Sequence, residues 1–200
     1  MRLDIPDGDF AGYIFDCDGT LVDSMPTHFR AWDRAMRAAG LPHALDEDLF
    51  YSFGGVPTKR VAELLCGHYA LEADAEWIFH EKERLFLEGS TALQLIAPVA
   101  EFARRVARTH PVSVGTGSPH HVVGHTLQAV GLRDLFRIVV TPEDVRHGKP
   151  APDIFLRAAE LMGVPAERCL VFEDAEPGYQ AAAAAGMACV RVPSRALSVR

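Results

Sequence analysis

From residue 112 onward the chain alternates short apolar runs with helix-like stretches, and this alternation limits the fold more than any other feature of the sequence. Val112 to Thr116 reads as a strand running into Gly117, and Pro119 to Val130 as a helix with proline in its first turn and Gly131 after its end. Ile138 to Val140 follows as a strand, then Pro152 to Met162 as a helix stopped by Gly163. Arg168 to Phe172 is a strand, Pro177 to Ala185 a close-packed helix closed by Gly186, and Met187 to Val192 a last strand. Strands alternating with helices of about ten residues cross over and run parallel, which predicts an α/β fold with a doubly wound parallel sheet.

Tyr13, Ile14 and Phe15 supply one more strand, and after it residues 25–87 carry no strand signal. Helices are predicted there at Thr27 to Ala39, Asp46 to Phe53, Thr58 to Cys66 and Asp74 to Leu87. A crossover normally needs only one helix, so four in succession predict an inserted all-helical cap over the strand ends. The expected division is an α/β core from 1–24 and 88–200 with a helical cap at 25–87, and a helix from Pro98 to Arg108 leads back into the core.

Composition narrows the partners. Two hundred residues suit one core domain with a modest insertion. No apolar run approaches the ~20 residues of a membrane span. Met1 to Phe10 carries three acids, one Arg and no apolar signal core, so export is not expected. Cys17, Cys66, Cys169 and Cys189 are scattered, without a C-x-x-C pair, which fits a reducing cytoplasm. A formal charge of −7 argues against a nucleic-acid partner and leaves any anionic substrate to be held by local cations.

In open α/β sheets ligands bind in the crevice outside the carboxyl ends of the strands. Four groups of polar residues fall there. Asp16-Cys17-Asp18-Gly19-Thr20 leaves the first strand with two carboxylates two residues apart. Thr116, Gly117 and Ser118 stand where the second strand meets its helix, offering hydroxyls and helix-terminal amides suited to a phosphate. Lys149 lies in His147-Gly148-Lys149-Pro150, and Glu173 and Asp174 end the strand Leu170-Val171-Phe172. Each alone reads as a turn, a cap or a solvated loop residue; their common position gathers carboxylates, hydroxyls and one ammonium at a single centre.

Other motifs fail on their spacing. Gly115 and Gly117 begin a dinucleotide fingerprint that His120 breaks, and the first glycine of a phosphate-binding loop ending at Gly148-Lys149 falls on Glu143. His121 and His125 are four apart on a helix, yet no Glu lies between them as a zinc protease motif requires. Glu81, Lys82, Glu83 and Arg84 read as a solvated helix face.

Asp16-Cys17-Asp18-Gly19-Thr20, the Thr116 strand end, Gly148-Lys149-Pro150-Ala151-Pro152-Asp153, and Phe172-Glu173-Asp174 followed by Gly178 together resemble the haloacid dehalogenase superfamily of phosphotransferases over nearly the whole chain. The last two strings resemble the branch with a small helical cap, which includes β-phosphoglucomutase and many sugar-phosphate phosphatases. Val114 to Ser118 and Val171 to Ala175 look most like bacterial fructose-1-phosphate and 6-phosphogluconate phosphatases.

The chemistry of the residues agrees with the roles the resemblance implies. Asp16, expected to be ionised at neutral pH, attacks phosphorus to give an aspartyl-phosphate. Asp18 protonates the leaving sugar oxygen and then deprotonates water. So many carboxylates repel a phosphate unless a hard cation is present. Asp16, the Asp18 carbonyl and Asp174, with Glu173 beside them, form an oxygen-only set suited to Mg²⁺. Lys149 and the Thr116 hydroxyl neutralise the remaining phosphate oxygens.

A phosphomutase and a non-catalytic phosphosugar-binding module are the alternatives. The module has no missing acidic group or lysine in its favour, and a dehalogenase would lack the acid at Asp18. β-Phosphoglucomutases resemble Lys-Gly-Val-Ser-Arg in the cap segment, whereas Phe53-Gly54-Gly55-Val56-Pro57-Thr58-Lys59-Arg60 has neither cation in register. Pro119 likewise stands where the mutases resemble a Lys. The expectation is therefore a Mg²⁺-dependent phosphatase of small phosphorylated metabolites; a monomer is compatible with the sequence, which does not specify an oligomer.

Overall fold

The computed structural model describes residues 3–193. Residues 1–2 and 194–200, at the ends of the predicted core, lie outside the described residues. Five strands, β1 (Gly12–Phe15), β2 (Val112–Gly115), β3 (Ile138–Val140), β4 (Cys169–Glu173) and β5 (Ala188–Arg191), form one parallel sheet in the order β3-β2-β1-β4-β5. The chain leaves the central β1, builds β2 and β3 on one side, then crosses to β4 and β5 on the other. Connections therefore diverge at the carboxyl ends of β1 and β4, which opens the crevice where such sheets bind ligands.

Side-chain alternation along the central strands makes two apolar faces. Phe15, Val114, Leu170 and Phe172 point to α5 (Ala97–Val106) and α6 (His120–Ala129), where they meet Phe102, Val123 and Leu127. Phe15 and Phe172 are paired in register and stack at 4.7 Å between ring centroids. Ile14, Cys169 and Val171 face the opposite layer, α7 (Asp153–Met162) and α8 (Glu176–Ala184), against Ile154, Phe155, Ala181 and Ala182. Each fully buried large apolar side chain contributes about 1.5–3 kcal/mol, so the sheet is held from both faces.

Between β1 and β2 come the predicted cap helices, α1 (Met25–Ala38), α2 (Glu47–Ser52), α3 (Thr58–His68) and α4 (Ala75–Gly89). They bury their own cluster, with Trp32, Met36, Leu65 and Phe86 at its centre. Asp46 and Asp74 cap α2 and α4 by accepting from the backbone N–H groups of Leu49 and Glu76.

Candidate active site

Asp16 extends β1 by donating its N–H to Phe172 O at 2.9 Å. The chain then turns within a few residues, Leu21 and Val22 both donating to Cys17 O. Gly19 makes this turn with φ +88°, and a Cβ on it would lie 2.3 Å from Asp174 Oδ2. No L side chain fits that space, so glycine is what lets the β1 and β4 ends converge.

Lys149 reaches the centre from beneath. Its Nζ donates to Asp16 Oδ1 and to Glu173 Oε2, each at 2.7 Å, and its side chain is fully buried. Glu173 Oε1 accepts from the N–H groups of Asp174 and Ala175, and Thr20 Oγ1 donates to Asp174 Oδ1 at 3.1 Å. Asp16, Glu173 and Asp174 each present an oxygen within 4.8 Å of the others. Among the described residues Lys149 is the ammonium in contact with two of these buried carboxylates, Asp16 and Glu173, and the donors are all hard oxygens, a set that fits Mg²⁺.

Charge crowding shows in their proton affinities. Burial, and then Glu173, raise Asp16 to about 7 against the pull of Lys149. Burial, Glu173 and Asp16 push Asp174 well above the usual carboxylate range. Lys149 moves the other way: burial opposes its charge, but Asp16 and Glu173 overcome that and hold it above the ordinary lysine range.

Asp18 has a different environment. Ser24 Oγ donates to its Oδ1 at 2.6 Å and Ser118 Oγ to its Oδ2 at 2.7 Å. His28 Nε2 lies 3.1 Å from Oδ1, at an angle that makes no hydrogen bond. Burial alone would raise Asp18, but His28 and the two hydroxyls hold it well below the usual range. Thr116 Oγ1 accepts from Ser118 N–H at 3.1 Å, which leaves its hydroxyl hydrogen for an anion. Asp16, Asp18, Thr116, Gly117, Ser118 and Asp174 line one cleft beneath the cap, while Lys149 and Glu173 stand behind Asp16.

The cap supplies groups that sequence reasoning missed. Lys82 is 2 % exposed and borders the cleft, its Nζ 5.6 Å from the Trp32 ring centroid and 5.4 Å from that of Phe86. Burial lowers it to about 8, with Asp18 and Glu83 opposing. His28 stacks on Phe86 at 3.8 Å, and burial together with Lys82 keeps it below the ordinary histidine range. The signal was in the sequence: Lys82 lies four residues from both Ile78 and Phe86, and His28 four before Trp32, so each sits on its helix's buried stripe.

The solvated face expected for Glu81 to Arg84 is thus wrong for Lys82 and Glu83, both buried, and right for the exposed Arg84. His121 Nε2 contacts Glu83 Oε2 at 3.0 Å and His125 Nε2 contacts Ser90 Oγ at 2.7 Å, so protein groups engage both rings. Lys59 and Arg60 are more than half exposed and pair with Glu76 and Glu63, away from the cleft.

Fold and site together define a capped α/β enzyme with an acidic centre at the ends of its strands. The chain belongs to the haloacid dehalogenase-like hydrolase family, whose model matches residues 10–186. It is 38 % identical over 187 residues to fructose-1-phosphate phosphatase YqaB of Escherichia coli (strain K12), covering 92 % of this chain and 96 % of that one. It is 28 % identical to β-phosphoglucomutase of Bacillus subtilis (strain 168), covering 90 % and 81 %. Among solved structures it is similar to CbbY from Rhodobacter sphaeroides in complex with phosphate, with a TM-score of 0.80, 25 % identity, and 94 % and 88 % of the two chains covered.

Proposed function

We propose that this chain is a Mg²⁺-dependent phosphatase of small sugar monophosphates that works through an aspartyl-phosphate on Asp16, with fructose 1-phosphate and 6-phosphogluconate the leading substrates. The observation that carries the reading is the convergence of Asp16, Asp18 and Asp174 in one capped cleft, with Lys149 and Glu173 bonded to each other directly behind Asp16. The reading takes 1–24 and 88–200 as the catalytic core, 25–87 as the cap, and the cytoplasm as the setting.

Asp16, the Asp18 carbonyl and Asp174, backed by Glu173, hold the cation, which when bound neutralises phosphate charge and keeps Asp16 ionised. An Asp16 oxygen attacks phosphorus while the bond from phosphorus to the sugar oxygen breaks, and Asp18 delivers a proton to that oxygen. Water then attacks phosphorus, Asp18 takes its proton, and the bond to Asp16 breaks to free inorganic phosphate. The Ser24 and Ser118 hydroxyls stabilise the ionised Asp18 that accepts this proton, and an incoming phosphate dianion raises its proton affinity for the acid step. Lys149 holds the Asp16 carboxylate in place, and the Thr116 hydroxyl with the Gly117 and Ser118 amides binds the transferring oxygens.

Lys82 favours a second reading, a phosphomutase, because it puts into the cap side of the cleft a cation able to hold a non-reacting phosphate. Phosphate release from a panel of phosphorylated metabolites, run beside an assay for glucose 6-phosphate formed from β-glucose 1-phosphate, decides between them. We expect metal-dependent phosphate release; isomerisation outpacing release overturns the phosphatase reading.

A further inference from the structure

Glu83 and His121 take no part in the chemistry assigned above. Glu83 follows Lys82 on α4, and one residue turns a helix by about 100°. Lys82 borders the cleft, while the Glu83 side chain meets α6 of the core. The Glu83 residue is 3 % exposed. Its Oε2 contacts His121 Nε2, and its Oε1 is buried without a hydrogen-bond partner. One turn further along α6, His125 holds Ser90, in the short 3-10 turn Ser90–Ala92 that follows α4. Ser90 Oγ already donates to Leu87 O, so the His125 ring is the donor in that bond. The two histidines of α6, spaced four apart, thus grip the end of the cap and its return linker.

A carboxylate taken out of water with one oxygen unmet carries a desolvation cost that packing alone does not offset. The group in contact with it, the ring of His121, comes from the other side of the cap–core boundary and is itself more than half exposed. We propose that Glu83 and His121 form a clasp that sets the closed position of the cap and so positions Lys82 and His28 over Asp18. Both are positioning residues. Swinging the cap off the core parts α4 from α6 and returns Glu83 to water; closing it commits the carboxylate to His121.

The clasp stands on these contacts, whereas its consequence for turnover rests on the phosphatase reading, so its test avoids turnover. Hydrogen exchange is measured by mass spectrometry on the full chain for wild type, His121→Ala and His121→Gln. The reporter is the loop at 53–57, which sits on the core: a Cβ on Gly117 would lie 2.9 Å from Gly55 O, and one on Gly148 would lie 2.5 Å from Pro57 Cγ. Loss of one such polar contact corresponds to a roughly five-fold gain in opening. We expect that gain at 53–57 in His121→Ala, unchanged exchange in β1 and β4, and wild-type exchange in His121→Gln, whose amide also donates to the carboxylate. Exchange at 53–57 equal to wild type in His121→Ala, equally raised in both variants, or raised together with that of β1 and β4, overturns the clasp.

Discussion

Asp16→Asn is expected to stabilise the metal-free protein while abolishing its turnover. Burial and the neighbouring Glu173 lift the Asp16 carboxyl from 3.8 to about 7. The folded protein therefore binds that proton more tightly than the unfolded chain, and stability falls as pH rises from about 4 through about 7. At about 1.4 kcal/mol per tenfold change in proton affinity, ionising Asp16 costs on the order of 4 kcal/mol at pH 8. Asparagine keeps the shape, still accepts from Lys149, and removes the charge. Urea unfolding in EDTA at pH 5 and pH 8 measures this: wild type loses stability between the two, and Asp16→Asn loses less and is the more stable protein at pH 8. Added Mg²⁺ restores wild type far more than the variant. A variant less stable than wild type at pH 8 in EDTA would refute the charge-crowding argument, and normal turnover by it would refute Asp16 as nucleophile.

Asp18→Asn is expected to form aspartyl-phosphate slowly and to hydrolyse it very poorly, so rapid-quench or mass measurement finds the covalent species accumulating; wild-type hydrolysis of that species would count against Asp18 as the base. Asp174→Ala is expected to weaken Mg²⁺ binding by calorimetry and to raise the metal concentration needed for phosphate release, and unchanged affinity would remove Asp174 from the ligand set. Gly117→Ala puts a methyl 2.9 Å from Gly55 O and 3.3 Å from its carbonyl carbon. Overpacking of that kind costs about 1–3 kcal/mol, so thermal unfolding is expected to move down by a few degrees and kcat/KM to fall on the order of tenfold or more, and an unchanged kcat/KM would show that the cap need not seat on this loop.

The core was legible because its signals are local. Each helix after β2 ends at a glycine or begins near a proline, and the apolar runs between them are too short for anything but buried strands, so element ends fall within a residue or two of expectation. The core half of the site was legible for a related reason: parallel strands end at one edge, and any polar residue following a strand arrives there. Lys82 and Glu83 were not legible from the run Glu81 to Arg84, since four alternating charges are the usual pattern of a wet helix face. Only the flanking Ile78, Leu85 and Phe86 reveal that the middle of that run turns inward. The proton affinity of Asp16 was also beyond sequence, because it depends on how close Glu173 and Lys149 approach in space.

The missed lysine changes the electrostatic argument for the whole cleft. Four carboxylates, Asp16, Asp18, Glu173 and Asp174, face two ammonium groups, Lys149 from the core and Lys82 from the cap. With all of them ionised the centre carries two net negative charges, which repel the dianion it is proposed to bind; one divalent cation would bring the sum to zero. On the proposed reading Lys82 belongs to that balance only while α4 lies over the core, so a cap that opened would return the centre to net negative charge and favour release of phosphate. On that reading cap position and charge are one variable, and the groups proposed to fix the position of α4 would act on the chemistry through the field at Asp18 without touching the substrate.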